Sequence, residues 1–105
     1  MADEIYFEVP TPLDFNVRTT RSYWELIITT KHPVMSGREV EVQNTLRTPD
    51  EIRRSRNDSS VHLFYRLERP NRWTCVVVKR FNGEGFLITT FPTDGIKEGE
   101  RIWSK

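Results

Sequence analysis

The part of the sequence that most restricts the fold is residues 61–91, where apolar and polar side chains alternate. Successive side chains of a β-strand point to opposite faces, so the segment VHLFYRLE at 61–68 predicts a strand with one apolar face. The segment WTCVVVKRF that follows is apolar on both faces, which is typical of a central strand. RPNR and NGEG predict turns, FLITTFPT a third strand and RIWSK a fourth. The sequence therefore predicts an antiparallel meander.

Three helix N-termini are predicted before the meander. In each, Ser or Thr is followed three positions later by Glu, a spacing at which side chains and backbone N–H groups can bond to one another. We expect the first helix to end near Lys31, because Pro33 keeps His32 out of the helical region. The second segment also alternates at Val40 and Val42, so a strand is open as an alternative there. The three pairs are Ser22 with Glu25, Ser36 with Glu39 and Thr48 with Glu51.

The order of the predicted elements, with helices before the meander, predicts an α+β domain. Its N-terminal helices would pack on one face of a four-stranded antiparallel sheet, with residues 1–105 forming a single domain. Residues 4–17, which are interrupted by Pro10 and Pro12, predict an extended piece at an edge.

Composition restricts location and cofactors. Cys75 is the only cysteine, so neither an intramolecular disulfide nor a cysteine zinc site is expected, and no clustered ligands predict another metal or a cofactor. The longest apolar run, residues 75–78, is far shorter than the roughly 20 residues that span a bilayer. The acidic N-terminus is unlike a signal peptide. We therefore expect a cytoplasmic protein with no membrane partner.

The charge distribution weakly favours an anionic ligand. The net charge is only +1, but the first 17 residues carry four acidic and no basic side chains. Twelve of the 16 basic residues are arginine, whose planar fork suits phosphate or carboxylate. An ordinary solvated surface is the alternative interpretation.

The turns decide which charged side chains share a face of the meander. If Pro70 and Asn71 form a two-residue turn and the flanking strands pair without a bulge, Arg66 would pair with Cys75 and His62 with Lys79. Arg66 and Lys79 would then project together from the more open face, away from the helices.

The second turn decides which threonine joins Arg66 and Lys79. A three-residue loop puts Thr89 on the face of Lys79 and an even-numbered loop puts Thr90 there, because a slip of one residue reverses every side chain. The sequence leaves this register open. In either case an arginine, a lysine and a hydroxyl would meet beside aromatic residues, as a cradle for a phosphate and a base.

Four segments resemble a family of small phage and bacterial proteins, widespread in cyanobacteria, that is described as a barnase, EndoU, colicin and RelE-like nuclease domain. They are RSYWELIITTKHP, TLRTPDEIRRSRND, VHLFYR and GFLITTFPTDGIKEGERIW. The resemblance covers about Arg18 to Trp103 and implies a compact α+β ribonuclease fold, metal-independent RNA cleavage and often a toxin role. The histidine-proline of the family matches His32 and Pro33, and its strand threonine matches Thr89. The acidic residue that usually follows the histidine-proline is replaced here by Val34.

The expected function is thus a metal-independent endoribonuclease, with RNA as substrate and an antitoxin protein as partner if it is a toxin. His32 would exchange the proton, because an imidazole titrates near neutral pH. Arg66 and Lys79 would stabilise charge on the phosphate, and Thr89 would orient the phosphate or ribose. Arg21 and Thr90 would make further substrate contacts.

The alternative is an inactive RNA-binding or protein-interaction module of the same fold. His32 would then only end a helix, a position that suits its positive form. The sequence leaves the oligomeric state open.

Overall fold

A computed structural model describes residues 4–105, which form a seven-stranded mixed sheet with two short α-helices. The sheet order is β1-β2-β6-β5-β4-β3-β7; β2 and β6 are parallel and the other neighbours are antiparallel. Helix α1 (Arg21–Leu26) continues into a π-helical turn (Ile27–Lys31) and a 3-10 turn (Pro33–Met35), and α2 is Glu39–Arg47. The strands are β1 (Ile5–Pro10), β2 (Asn16–Thr20), β3 (Glu51–Arg54), β4 (Val61–Arg69), β5 (Arg72–Phe81), β6 (Glu84–Thr93) and β7 (Glu100–Ser104).

The predicted fold class, helices packed on a four-stranded antiparallel sheet, is wrong. The N-terminal segment forms the hairpin β1–β2, which joins the sheet beside β6, and the predicted third helix is the strand β3. Ile52 is fully buried in that strand, opposite Phe64 on β4 and Trp103 on β7. Pairing on both sides of β3 thus prevails over the local helix-start signal at Thr48, as tertiary context commonly does over local preference.

The first two predicted helices are confirmed, but not their caps. Thr20 precedes α1, and its hydroxyl accepts a 3.1 Å hydrogen bond from the backbone N–H of Tyr23, a role that the sequence assigns to Ser22. Arg38 precedes α2 and makes no side-chain cap bond. The π-helical turn ends at Lys31 as predicted, and the His32 N–H donates to the Ile27 carbonyl at 2.7 Å.

The two faces of the sheet are packed differently. The helix face carries Phe64, Val76, Val78 and Leu87, which pack with buried residues of the helical layer. The opposite face, here called the far face, carries Leu63, Tyr65, Cys75 and Val77 with Phe91 and Ile96. The helical residues of the main core are Trp24, Ile27, Met35, Val42 and Leu46.

A β-bulge in β4 makes the predicted register of β4 and β5 wrong. Arg69 does pair with Arg72, but an irregularity between Leu67 and Arg69 shifts the rest of the strand by one residue. Arg66 therefore lies opposite Thr74 instead of Cys75. This places Arg66 on the helix face, because it is two residues from Phe64 in an uninterrupted strand.

A second bulge, in β6, decides the position of the threonines. Asn82 and Gly83 have positive φ angles of 53° and 79° and form the turn between β5 and β6, as expected for a two-residue hairpin. Such a turn alone would put Thr90 on the Lys79 face. An extra residue at Ile88 shifts the register, so that Thr89 lies opposite Val77 and shares the far face with Lys79.

Among residues 4–105, no helix has the length and apolar character that crossing a membrane requires.

Candidate functional site

A cleft opens where β2 and β6 separate. These parallel strands pair only at Val17 with Gly85 and at Arg18 with Phe86. Gly85 permits the approach, because a Cβ there would lie 2.7 Å from the Phe15 ring and 2.9 Å from the Asn16 carbonyl. Beyond the pair the chain of β2 turns into α1 and leaves a cleft of about 500 Å³. The cleft is lined by Ile5, Arg18, Thr19, Thr20, Tyr23, Phe86, Leu87 and Ile88.

The helical segment takes the place of β2 alongside the rest of β6. The Tyr23 hydroxyl donates a 2.7 Å hydrogen bond to the Ile88 carbonyl, and the Lys31 ammonium donates to the same carbonyl at 3.3 Å. The next residue, His32, reaches Phe91, with their ring centroids 5.3 Å apart and the ring planes inclined by 39°. The end of the helical segment is therefore what brings the imidazole to β6.

Aromatic and basic side chains line the far face of β6. The Arg18 guanidinium lies 4.8 Å from the centre of the Phe86 ring, and Lys79 on β5 is the register partner of Phe86. Phe86 and Phe91 lie opposite Lys79 and Cys75, which are four residues apart, so the two phenylalanines are roughly 13 Å apart along the sheet at about 3.3 Å per residue. We call this set the β6 stripe: Phe86, Thr89 and Phe91, with Arg18, Lys79 and His32 beside them.

The hydroxyl of Thr89 lies in the middle of the β6 stripe. Its oxygen is buried and has no hydrogen-bond partner among residues 4–105. A buried polar atom without a partner costs about 1–3 kcal/mol, so an added acceptor or donor at this position would be favourable. Thr89 as a whole is only partly buried, although its hydroxyl oxygen is not exposed.

The structure brings together three of the four predicted catalytic residues on one side of the sheet. His32 and Thr89 flank Phe91 on the stripe, and Lys79 shares its far face. Lys79 is four residues along β5 from Cys75, the partner of Phe91, so it is about 13 Å from the His32 end. Arg66 points from the opposite face of the sheet and does not join them.

The two predicted substrate contacts lie elsewhere. Thr90 is fully buried, and its hydroxyl donates a 2.8 Å hydrogen bond to the Cys75 carbonyl inside the sheet. Arg21 is exposed at the start of α1, with its guanidinium 4.4 Å from the centre of the Tyr6 ring. The Thr90 hydroxyl thus bonds within the sheet, whereas the Arg21 guanidinium packs on Tyr6 of β1.

The Lys79 ammonium lies 3.6 Å from the carboxylate of Asp58. Both side chains are about half exposed, at 49% and 46%. Exposed pairs of this kind contribute only about 0–1 kcal/mol, so the pair can open for a competing anion at little cost.

His62, the second histidine, is a packing residue. Its ring is buried, lies 5.8 Å from the Phe15 ring and places Nδ1 3.3 Å from the Ser60 carbonyl. Burial lowers the pKa of His62, against the weaker opposing effect of the Ser60 carbonyl. Within the described part of the chain, no group of three or more histidine, cysteine, aspartate or glutamate side chains could hold a metal ion.

Sequence reasoning missed Arg18 and Phe86 as site residues. Arg18 follows Val17 in an alternating segment, which is a strand signal, but parallel pairing of β2 with β6 has no local signature. The aromatic residues of β6 could be recognised as a group, whereas their common face depends on the bulge at Ile88.

Comparison of the chain with protein-family models, with curated proteins and with solved structures gives no match. The resemblance to nuclease domains therefore stays a prediction.

Proposed function

We propose that the protein binds single-stranded RNA along the β6 stripe. The observation that carries this proposal is the pairing of rings with basic groups on one sheet face: Arg18 over Phe86, and His32 against Phe91. Unpaired bases stack on aromatic rings and on arginine planes, and nearby cations pair with the phosphates between them. A sheet surface with two separated rings offers stacking positions for more than one base.

Local charge supports the proposal better than the net charge of +1 does. Lys31, Arg18 and Lys79 border the stripe. Glu84 and Asp58 pair with two of these cations, at 2.8 Å and 3.6 Å, through side chains that are about half exposed. A phosphate can replace either carboxylate, because exposed ion pairs are weak.

Cleavage of the bound RNA by a metal-independent ribonuclease, with or without a toxin role, is the second candidate. The observation that favours it is that His32 contacts Phe91, two residues along β6 from Thr89, whose hydroxyl has no hydrogen-bond partner among residues 4–105. In such a reaction the 2′-oxygen attacks the adjacent phosphorus, the 5′-oxygen leaves, and a 2′,3′-cyclic phosphate and a 5′-hydroxyl form. His32 would accept the proton of the 2′-hydroxyl, and the imidazolium would return a proton to the leaving oxygen.

Arg66 has no part in either candidate. It lies on the helix face, so the phosphate contacts fall to Lys79, Lys31 and Arg18. The cleavage candidate therefore uses other phosphate-binding cations than the mechanism that the sequence predicts. It retains His32 and Thr89.

The test is a binding titration with a fluorescently labelled single-stranded RNA in the presence of a chelator, followed by gel analysis of the same samples. Phe86→Ala and Phe91→Ala should each weaken binding about 5- to 100-fold, because a base stacked on an aromatic ring contributes about 1–3 kcal/mol. Val40→Ala is the control, because Val40 is 65% exposed on α2, which packs on the opposite face of the sheet. It should leave binding unchanged.

The products distinguish the two candidates. Intact bound RNA supports a binding module, and fragments with a 2′,3′-cyclic phosphate that disappear in His32→Ala support the ribonuclease. Undetectable binding, or equal losses for Val40→Ala and Phe91→Ala, would contradict the proposal.

A further inference from the structure

We propose that the cleft between β2 and β6 binds a small molecule with a hydrocarbon body and a single carboxylate, such as a medium-chain fatty acid. The inference goes beyond the proposed function, because this ligand is not RNA and binds in its absence. It is carried by the apolar lining of the cleft and by the positive charge beside it.

The lining of the cleft is largely hydrocarbon. Its volume of about 500 Å³ lies inside the roughly 300–1,000 Å³ range of small-molecule sites. The apolar and aromatic side chains that line it are Ile5, Tyr23, Phe86, Leu87 and Ile88. A ligand that places methylene groups against these walls removes apolar surface from water, which favours binding.

The hydroxyl groups of the lining already have partners within the protein. The Tyr23 hydroxyl donates to the Ile88 carbonyl at 2.7 Å, and the Thr20 hydroxyl accepts from the Tyr23 N–H at 3.1 Å. The Thr19 hydroxyl lies 3.5 Å from the Thr20 carbonyl. A ligand with several polar groups would lose its bonds to water for few new partners here, whereas a hydrocarbon chain needs none.

Arg18 supplies the partner for the head group. It is the one charged side chain among the described residues that line the cleft. Its Nη1 lies 2.8 Å from the Glu84 carboxylate, but a guanidinium has five N–H donors, so donors remain for a ligand. Glu84 is 55% exposed and its pairing is weak, so a ligand carboxylate can also replace it. A planar carboxylate matches the arginine fork through two parallel hydrogen bonds.

Lys31 adds a second cation next to the cleft. Its ammonium lies 3.2 Å from the Tyr23 hydroxyl and 3.3 Å from the Ile88 carbonyl, and both of these residues line the cleft. No carboxylate of residues 4–105 forms an ion pair with Lys31. The surroundings of the cleft therefore carry an excess of positive charge, which favours an anionic head group over a neutral or cationic one.

The test is a titration of the protein with octanoate, followed by amide NMR shifts, which should change at residues 18–20 and 86–88. Affinity should rise about fourfold for each CH2 group from butanoate to octanoate, the increment for burying one methylene. 1-Octanol has the same body without the charge and should bind about tenfold more weakly, because it lacks a charge-assisted hydrogen bond. Octylamine, with the opposite charge, should bind more weakly still, and acetate, which lacks the body, should not bind detectably.

Two variants separate the head group from the body. Arg18→Gln should weaken the binding of octanoate about tenfold and leave that of 1-octanol unchanged, because only the charged contact is lost. Ile5→Trp should weaken the binding of both, because Ile5 lines the cleft and is 51% exposed, so that a larger side chain is tolerated and fills the space. Arg101→Gln is the control and should change neither, because Arg101 is exposed on β7 at the other edge of the sheet.

Three results would overturn the carboxylate site. They are equal affinities for octanoate and 1-octanol, an Arg18→Gln effect no larger than that of Arg101→Gln, and octanoate shifts that lie away from residues 18–20 and 86–88. All of these measurements use the protein without RNA, so their outcome is independent of RNA binding on the β6 stripe.

Discussion

The Tyr23 hydroxyl donates a 2.7 Å hydrogen bond to the Ile88 carbonyl and so joins α1 to β6 across 65 residues of sequence. The bond forms where β2 has ended its short pairing with β6. The bulge residue Ile88 would otherwise present its carbonyl to the cleft without a strand partner, and Tyr23 and Lys31 satisfy it. This contact holds His32 next to the β6 stripe.

Tyr23→Phe should lower the free energy of unfolding by about 0.5–1.5 kcal/mol, the usual net contribution of one hydrogen bond. The loss stays small because Lys31 still donates to the carbonyl at 3.3 Å. Tyr23→Phe combined with Lys31→Met should cost about 1–3 kcal/mol more, since the carbonyl would lose both donors. Urea denaturation measures the stability of both variants. Equal stabilities of the single and the double variant would contradict the role of Lys31 as a second donor to the Ile88 carbonyl.

Gly85→Ala should destabilise the protein by about 1–3 kcal/mol, the range for an overpacked site. The added methyl would lie 2.7 Å from the Phe15 ring and 2.9 Å from the Asn16 carbonyl, at the only place where β2 pairs with β6 in the described sheet. Gly95→Ala is the control, because the nearest atom to its Cβ is 4.0 Å away. Thermal or urea unfolding should show a loss for Gly85→Ala alone; equal midpoints for both variants would disprove the close contact.

His62 should make stability depend on pH. Burial, with repulsion from Arg80 and Arg54 as a smaller cause, lowers the pKa of His62 in the folded protein. The unfolded chain therefore binds a proton at His62 more readily than the folded protein does. The stabilisation of the folded state is complete above about pH 6.5. It is lost as the pH falls below that value, by at most about 1.4 kcal/mol per pH unit.

The measurement is urea unfolding at about pH 7.5 and about pH 5.5, the interval in which histidine titrates and most carboxylates do not. His62→Phe should remove most of the acid-dependent loss, whereas His32→Ala, the other histidine variant, should retain it. An unchanged acid dependence in His62→Phe would show that another group is responsible.

Cys75 should be inert in the folded protein. Burial raises the pKa of its thiol to about 12, so almost no thiolate is present near neutral pH. A thiol reagent that reports on free cysteine, such as Ellman's reagent at about pH 8, should label Cys75 only when urea unfolds the chain. Complete labelling of the native protein within minutes would contradict the buried position on the far face.

Local patterns predict the meander but not the sheet that contains it. The alternation at residues 61–68 and the Asn82–Gly83 turn are local signals that do not depend on distant residues. The strands that they predict are observed. Residues 51–54 look like the start of a helix, since Thr48, Pro49 and acidic residues precede them, but Ile52 is buried between two strands from distant parts of the chain. Such pairing cannot be seen in a short segment.

The candidate site depends on two inserted residues that no local pattern marks. The bulge near Leu67 moves Arg66 to the helix face, and the bulge at Ile88 moves Thr89 to the far face. Each shift reverses the direction of a side chain, because the strand period is two. His32 could be located from Pro33 and the helix end, whereas its contact with Phe91 required the packing of the helical segment on β6.

Lys79 and Arg66 provide the most direct test of RNA binding on the β6 stripe, because both are basic strand residues and they project from opposite faces. The measurement is the salt dependence of single-stranded RNA affinity for Lys79→Ala and Arg66→Ala. Lys79→Ala should weaken binding and reduce the slope of log affinity against log salt by about 0.7, the value expected for one phosphate contact on a single strand. Arg66→Ala should leave both unchanged; a reduced slope in Arg66→Ala with an unchanged slope in Lys79→Ala would contradict binding on this face.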